Sequence, residues 1–450
     1  MNQINLKKNI LLSGSSRIAI MLVSFLTGWI STRFLGVELK GQYSYLITIS
    51  SFTWIALDLG IHKTYPYLLR REPENKGIIF SWVLLQFVAE ALILGTLGLL
   101  FMQTWSRLLS FAFSPWHILL VVGVITLTKM QLQLQMYYLG RDLVKQNSLY
   151  QFLNSFVMLV LVGVGYLLLR DVNRLLYVLL AYNIGMLAAL AGYTHRELFS
   201  RFWQGFRLRY ILRAYGMGWR VFLSSLFIIL LIRFDVVIIK QLLGDFKQLG
   251  IYAVAANIVD MLQMAANLVG GLLLVKMSGL DADEPRWRLL RKVFMVFFLL
   301  LVAANLGFVL VGKPLLGLMY GKPFVPVYDV YLWLIPASFG LAFGSLFNTY
   351  LWSKGFPLIS VLLPLLALLS NIALNYLLIP LWGIKGAALA TSIAYILWFL
   401  LILVYEQFSS QGKLLKHLLP AWQDWKDLYQ EARNYLISLK NQLLHRRGYT

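Results

Sequence analysis

The sequence predicts an all-α integral membrane protein of twelve transmembrane helices. Three observations lead there. Of the 450 residues, 59% are hydrophobic and only 13% charged, about half the charged share of a soluble domain. Apolar runs of the ~20 residues needed to cross a bilayer recur from one end of the chain to the other. Finally, Lys and Arg collect in every second gap between those runs. The expected spans are 10–34, 42–68, 78–104, 116–139, 149–169, 174–193, 214–239, 249–275, 288–311, 328–352, 357–379 and 386–405. With the N-terminus in the cytoplasm, 27 of the 40 basic residues fall on the inner side and ten on the outer side. That bias is what the positive-inside rule requires, and it places both termini inside.

Several function classes drop out on composition. The net charge of +21 is spread between spans and does not gather on one soluble module, which argues against nucleic acid as a partner. There is no cysteine, so disulfides and thiolate metal sites are excluded. The five histidines have no metal-ligand spacing. No P-loop is present, and no cofactor is expected. The outer gaps are all short and leave no room for an extramembrane catalytic domain, so no enzymatic activity is expected.

Taken in order, the first span follows Lys7 and Lys8 like a signal peptide, but Arg17 interrupts its apolar core and no cleavage site follows. It reads as a retained span. Ser13, Arg17, Ser24, Thr27 and Ser31 recur on one of its faces at helical spacing. This polar stripe lines a cavity or forms a hydrogen-bonded seam with another helix. Asp58 closes the second span, Glu90 lies in the third and Asp260 in the eighth. The fourth carries Lys129, with Gln133 and Tyr137 on the same face. The seventh carries Arg233 and Asp235, which point to different faces and each need another partner. Charges inside a membrane are costly, and they line a cavity or pair with each other. Arg17, Lys129 and Arg233 are therefore the candidates for a cationic lining that attracts an anionic head group. Ser13, Ser24, Thr27 and Gln133 are the candidate polar stripe of the same cavity. Asp58, Glu90, Asp235 and Asp260 are candidates for ion coupling or, equally, for structural salt bridges.

The basic segment 194–213 divides the chain into halves, 1–193 and 214–406, and lies on the membrane as an interfacial helix or runs as a solvated loop. The halves carry a weak repeat. Leu35-Gly36 is followed by Gly41-Gln42-Tyr43, and Leu243-Gly244 by Gly250-Ile251-Tyr252. Six spans per half is an even number, so the repeat is parallel, which places a substrate cavity between two six-helix lobes. After the last span, 407–450 places Leu418, Trp422, Trp425 and Tyr429 on one stripe. It reads as an amphipathic helix held on the inner leaflet by anionic lipids, or alternatively as a partner-binding helix.

Two stretches resemble a known family. Ser31-Thr32-Arg33-Phe34-Leu35-Gly36, Gly41-Gln42-Tyr43-Ser44 and Ala56-Leu57-Asp58-Leu59-Gly60-Ile61 are similar to the opening of polysaccharide (O-antigen type) flippases. These belong to the multidrug/oligosaccharidyl-lipid/polysaccharide exporter superfamily. Asn371 to Asn375, then Ile379-Pro380 and Gly383-Ile384-Lys385-Gly386-Ala387-Ala388, resemble the same family's last spans. The resemblance implies alternating access in a bacterial inner membrane. It also implies a cargo of undecaprenyl-pyrophosphate-linked oligosaccharide, and a polysaccharide polymerase and other assembly proteins as partners. A cation-coupled drug or small-molecule exporter is the first alternative, and a membrane enzyme of polysaccharide assembly the second.

Overall fold

The computed structural model describes residues 3–169, 172–198, 207–280, 282–355 and 357–414, with positions 425, 426, 430 and 433; side chains are described from residue 19 onward, except at a few positions. Among the described residues no strand occurs. The helices are α1 (Gln3–Asp58), α2 (Tyr65–Arg71), α3 (Lys76–Leu100), α4 (Met102–Leu108), α5 (Pro115–Gly140), α6 (Val144–Leu168), α7 (Arg174–Leu198), α8 (Leu208–Leu243), α9 (Phe246–Ser278), α10 (Asp283–Tyr320), α11 (Val327–Ser353) and α12 (Ile359–Ser409). Ten of these are long and apolar enough to cross a membrane. The segment between α7 and α8, and nearly all of the expected C-terminal amphipathic helix, lie outside the described residues.

Two helices are far longer than one crossing needs. Each is broken once by a glycine, α1 at Gly36 (φ 73°) and α12 at Gly383 (φ 58°). A left-handed φ is open to glycine at little steric cost. At Gly383 the chain turns back on itself. A Cβ on Gly386 would run into the carbonyl of Leu378 and come within 3.1 Å of the Ile379 nitrogen. In an unbroken helix the seven residues from Ile379 to Gly386 would span about 10 Å.

The repeat seen in the sequence is a structural one. Gly36 and Gly244 both take left-handed backbone angles, φ 73° and φ 67°. Gly244 ends α8, and its carbonyl accepts from Lys240 Nζ at 2.8 Å. Asp245 then caps α9, accepting from the Lys247 amide at 2.7 Å. The second glycine of each motif is a contact point. A Cβ on Gly41 would collide with the Phe246 carbonyl, and one on Gly250 with the Val37 carbonyl. The two helices therefore cross backbone to backbone, and each half supplies the glycine that the other half's helix requires. Small residues allow such close approach in membranes.

Enclosure follows the same repeat. Two thirds (67%) of the most apolar stretch is buried in α5 and again in α11, against 6% in α3 and 11% in α6. The two enclosed helices begin at Pro115 and Val327 and so hold equivalent places in the two halves. One buried cluster joins α2, α3, α5 and α7 to Ile211 and Ala214 of α8. A larger one fills the second half and reaches Val37, Tyr45, Leu46 and Phe111 of the first. The halves thus fuse on the side where Gly36 lies. Arg33 and Trp29 reinforce this side through the Met319 carbonyl, at 3.2 and 2.6 Å. α8 links the halves over its whole length, with its first turns in the first half's cluster and its end in the second half's.

Substituting valine at Gly41 or Gly250 is expected to destabilise the protein by about 1–3 kcal/mol, the usual cost of overpacking. Gly28→Ala, where a Cβ meets nothing within 4 Å, is expected to be silent. Thermal unfolding of the detergent-solubilised variants measures the difference.

Candidate functional site

The predicted charges separate into closed pairs and open groups. Lys129 is 1% exposed and donates to Glu90, which arrives from α3. One turn further along α5, Gln133 donates to Asp58 and to Gln86, both at 3.0 Å. The other oxygen of Asp58 is taken by His62 Nδ1, and Gln86 donates to Tyr215 of α8 at 2.7 Å. Lys129, Glu90, Asp58 and Gln133 therefore form an enclosed network that holds α1, α3, α5 and α8 together. Glu90 matches the charge of Lys129, so Lys129 keeps no free charge to offer an anion. A buried pair of this kind is strongly destabilising when half of it is removed.

Arg233 is placed differently. Its Nη2 donates to Asp260 of α9 at 2.7 Å, while a third of the Arg233 side chain and a quarter of Asp260 stay exposed. Asp235, two residues on, faces the other way as expected. It is fully buried, accepting from Tyr252 and, at 3.3 Å, from Thr391. Arg17 and Ser13 lie among the residues whose side chains are not described. Ser24 bonds Ser155 of α6 at 3.3 Å, and Thr27 and Ser31 return their hydroxyls to their own helix at 2.8 and 3.1 Å. Of the described part of the stripe, Ser24 is the residue that bonds another helix.

Two lysines that the span boundaries hid belong to the site. The sequence reading put Lys40 in an outer gap. The turn falls four residues earlier, at Gly36, so Lys40 is carried into the second limb of α1 and is 5% exposed. It lies over the Tyr43 ring at 5.3 Å and close enough to Arg233 to feel its charge. Among the described residues it has no carboxylate partner. Where the halves meet, Arg233 is paired with Asp260 and lies within reach of the Asp235 charge, while Lys40 forms no ion pair among the described residues. The signal for Lys40 in the sequence was the Leu35-Gly36 turn itself.

The second is Lys63, just past the end of α1. It donates to Ser225 of α8 at 2.5 Å and lies 5.7 Å from the Trp352 ring centre of α11. Burial pushes its ammonium down to about 8, with Asp58 pulling in the opposite direction. A further pair on the same side, Lys354 with the buried Glu406 at 2.9 Å, joins α11 to α12. Among the described residues no group of acids and histidines is arranged to hold a metal ion.

The comparisons with known proteins bear on this arrangement. The family model described as "Polysaccharide biosynthesis protein" matches residues 6–275, more than half of the chain. The chain belongs to that family. A capsular polysaccharide biosynthesis protein, CapF of Staphylococcus aureus, is 29% identical over 165 residues. That match covers 35% of this chain and 40% of the relative, so the chain spans about two fifths of the curated relative it matches. Among solved structures, an inward-facing multidrug resistance transporter of the MATE family superposes with a TM-score of 0.70 at 13% identity, covering 87% of this chain and 95% of the other. The lipid II flippase MurJ, in an inward closed conformation, gives 0.66 at 15% identity, covering 93% and 92%. A transporter of the same MOP superfamily from Pyrococcus furiosus gives 0.57 at 12%, covering 90% and 94%. These structural likenesses establish the helical fold, and the family match places the chain in the family so described.

Glu90→Gln leaves the Lys129 ammonium buried and unmatched, with an expected loss of about 3–5 kcal/mol. Adding Lys129→Met removes the stranded charge and is expected to restore most of that stability. The four unfolding midpoints of this double-mutant cycle test the pairing directly.

Proposed function

We propose that this protein is a flippase that moves undecaprenyl-pyrophosphate-linked oligosaccharide from the cytoplasmic to the periplasmic leaflet. On this reading, α1 and α12 each cross twice, which makes twelve crossings, grouped as the lobes 1–193 and 214–406. The Lys63 side, with both termini, faces the cytoplasm, and the Gly36 side the periplasm of a bacterial inner membrane. The lobes rock about the Gly41–Gly250 crossing, opening first to one side and then to the other. The carrying observation is Lys40, a buried cation with no carboxylate partner among the described residues, beside the partly exposed Arg233–Asp260 pair between the halves of a polysaccharide biosynthesis family member. A diphosphate head group matches that charge. Arg suits it by forming two parallel hydrogen bonds and Lys by acting as a point charge. Arg17, at the start of the first span, is a third contributor on the same reading, whereas Lys129 is assigned to structure.

The driving force on this reading is an ion gradient or consumption of the product. Asp235 is the coupling candidate favoured here. Asp58, Glu90 and Asp260 are each bonded to a basic side chain, whereas Asp235 is held by hydroxyls. Cargo, lipid surface and assembly proteins remain the proposed partners, with no nucleic acid and no catalysis.

The test is complementation of a bacterium that lacks its own oligosaccharide-lipid flippase, with surface polymer as the readout. The wild-type chain is expected to restore polymer. Arg233→Ala with Lys40→Ala is expected to lower it at least tenfold at equal expression, and Arg233→Lys to lower it less. Wild-type polymer from the double variant would overturn the assignment of these cations.

A further inference from the structure

We propose that Lys63, with Ser225 and Trp352, forms a second site for a phosphate-ester head group, distinct from Lys40 and Arg233 and nearer the terminal side of the protein. The inference rests on the flippase reading for the source of the ligand, but not for the chemistry of the site.

Its geometry is built in. Gly60 turns the chain with a left-handed φ of 75° and lies flat on α8. A Cβ at Gly60 would come within 2.7 Å of Phe222 Cβ, and one at Gly218 within 3.0 Å of the Gly60 carbonyl. The base of Lys63 is thereby pressed against α8 and cannot be withdrawn without moving the turn. Its ammonium then meets three elements: its own turn, Ser225 of α8 and Trp352 of α11. The acid nearest in sequence is already committed, since Asp58 gives one oxygen to His62 and the other to Gln133. An ammonium has three donors. Ser225, a neutral oxygen, takes one and holds the ammonium toward α8, and a phosphate oxygen competes with it by making a stronger, charge-assisted bond.

Next to this ammonium is a cavity of about 280 Å³ between the first half, α8 and α11. Trp54, Phe222 and Trp352 form its aromatic walls, and Ile228, Ile229 and Ile232 continue it along α8. One cation at the edge of an apolar and aromatic chamber suits an amphiphile whose phosphate meets Lys63 while its less polar part lies against the isoleucines. Ser225 and Arg233 are eight residues apart on one helix, or about 12 Å along its axis. The two cationic sites are therefore successive stations on α8. Phosphate at the first competes with Ser225 for Lys63, so occupancy releases one of the contacts that join the terminal side of the halves.

The test uses the purified full-length protein in nanodiscs, with geranyl diphosphate as the probe. In an Arg233→Ala, Lys40→Ala background, residual binding is expected to persist, and adding Lys63→Gln to weaken it at least tenfold. Ser225→Ala, which frees the ammonium but keeps its charge, is expected to tighten binding several-fold. A merely structural Lys63–Ser225 contact would make both substitutions weaken it. Residual binding that is indifferent to Lys63→Gln, or weakened by Ser225→Ala, overturns the proposal. Competition by phosphatidylglycerol in the nanodisc would assign the site to membrane lipid, and its absence would assign it to cargo. If wild type restores polymer in cells while Lys63→Gln leaves binding unchanged, the second site fails and the flippase reading stands. If wild type neither binds the diphosphate nor restores polymer, both fail.

Discussion

A charge held out of water must be matched, and much of the polar architecture here follows from that constraint. A carboxylate or ammonium within a span costs several kcal/mol unless it is paired or reaches a wet cavity. Glu90 meets Lys129, Asp58 meets His62 and Gln133, Arg233 meets Asp260, and Glu406 meets Lys354. Each pair joins two helices or fixes a turn, so the same contacts that make the charges tolerable also order the bundle. Against that background Lys40 and Lys63 stand out, because neither forms an ion pair with a carboxylate among the described residues. Both lie where the two halves approach each other, and that is where the proposed cargo sites are placed.

Backbone packing supplies the second constraint. At Gly41 and Gly250 the helices approach until neither residue has room for a side chain. A contact this close depends on shape alone and carries no charge to be satisfied, so it suits a pivot that persists while other contacts break. The Lys63–Ser225 contact on the other side is of the opposite kind: polar, single and open to competition from an anion. A firm crossing at one side and a displaceable bond at the other give the proposed rocking motion a direction.

Where the sequence reading went astray, the cause was depth. Apolar runs locate spans well but place their ends only to within a few residues, and an end decides whether a lysine is counted as exposed or enclosed. Lys40 falls in an outer gap by its span ends, although the turn at Gly36 carries it into the second limb of α1; Lys63 lies within the expected span 42–68, whereas that limb ends at Asp58 and Gly60 turns the chain. Lys129 stays open in the sequence between a cavity cation and a salt-bridge partner, because Glu90 is 39 residues away on another helix. No local pattern reports that meeting. Of the stripe of Ser24, Thr27 and Ser31, Ser24 meets Ser155 on α6, a partner 131 residues away that no local pattern reports.

By itself the sequence determined the all-helical membrane class and the opposed facing of Arg233 and Asp235. Each depends on composition, periodicity or the 100° step of a helix, and these are properties of the chain read in order. Only the tertiary structure decided which charges cancel, which side of the halves is packed backbone to backbone, and which two lysines are left over. Those are outcomes of distance between residues far apart in the chain, and the energy of a buried charge depends on what lies within a few ångströms of it.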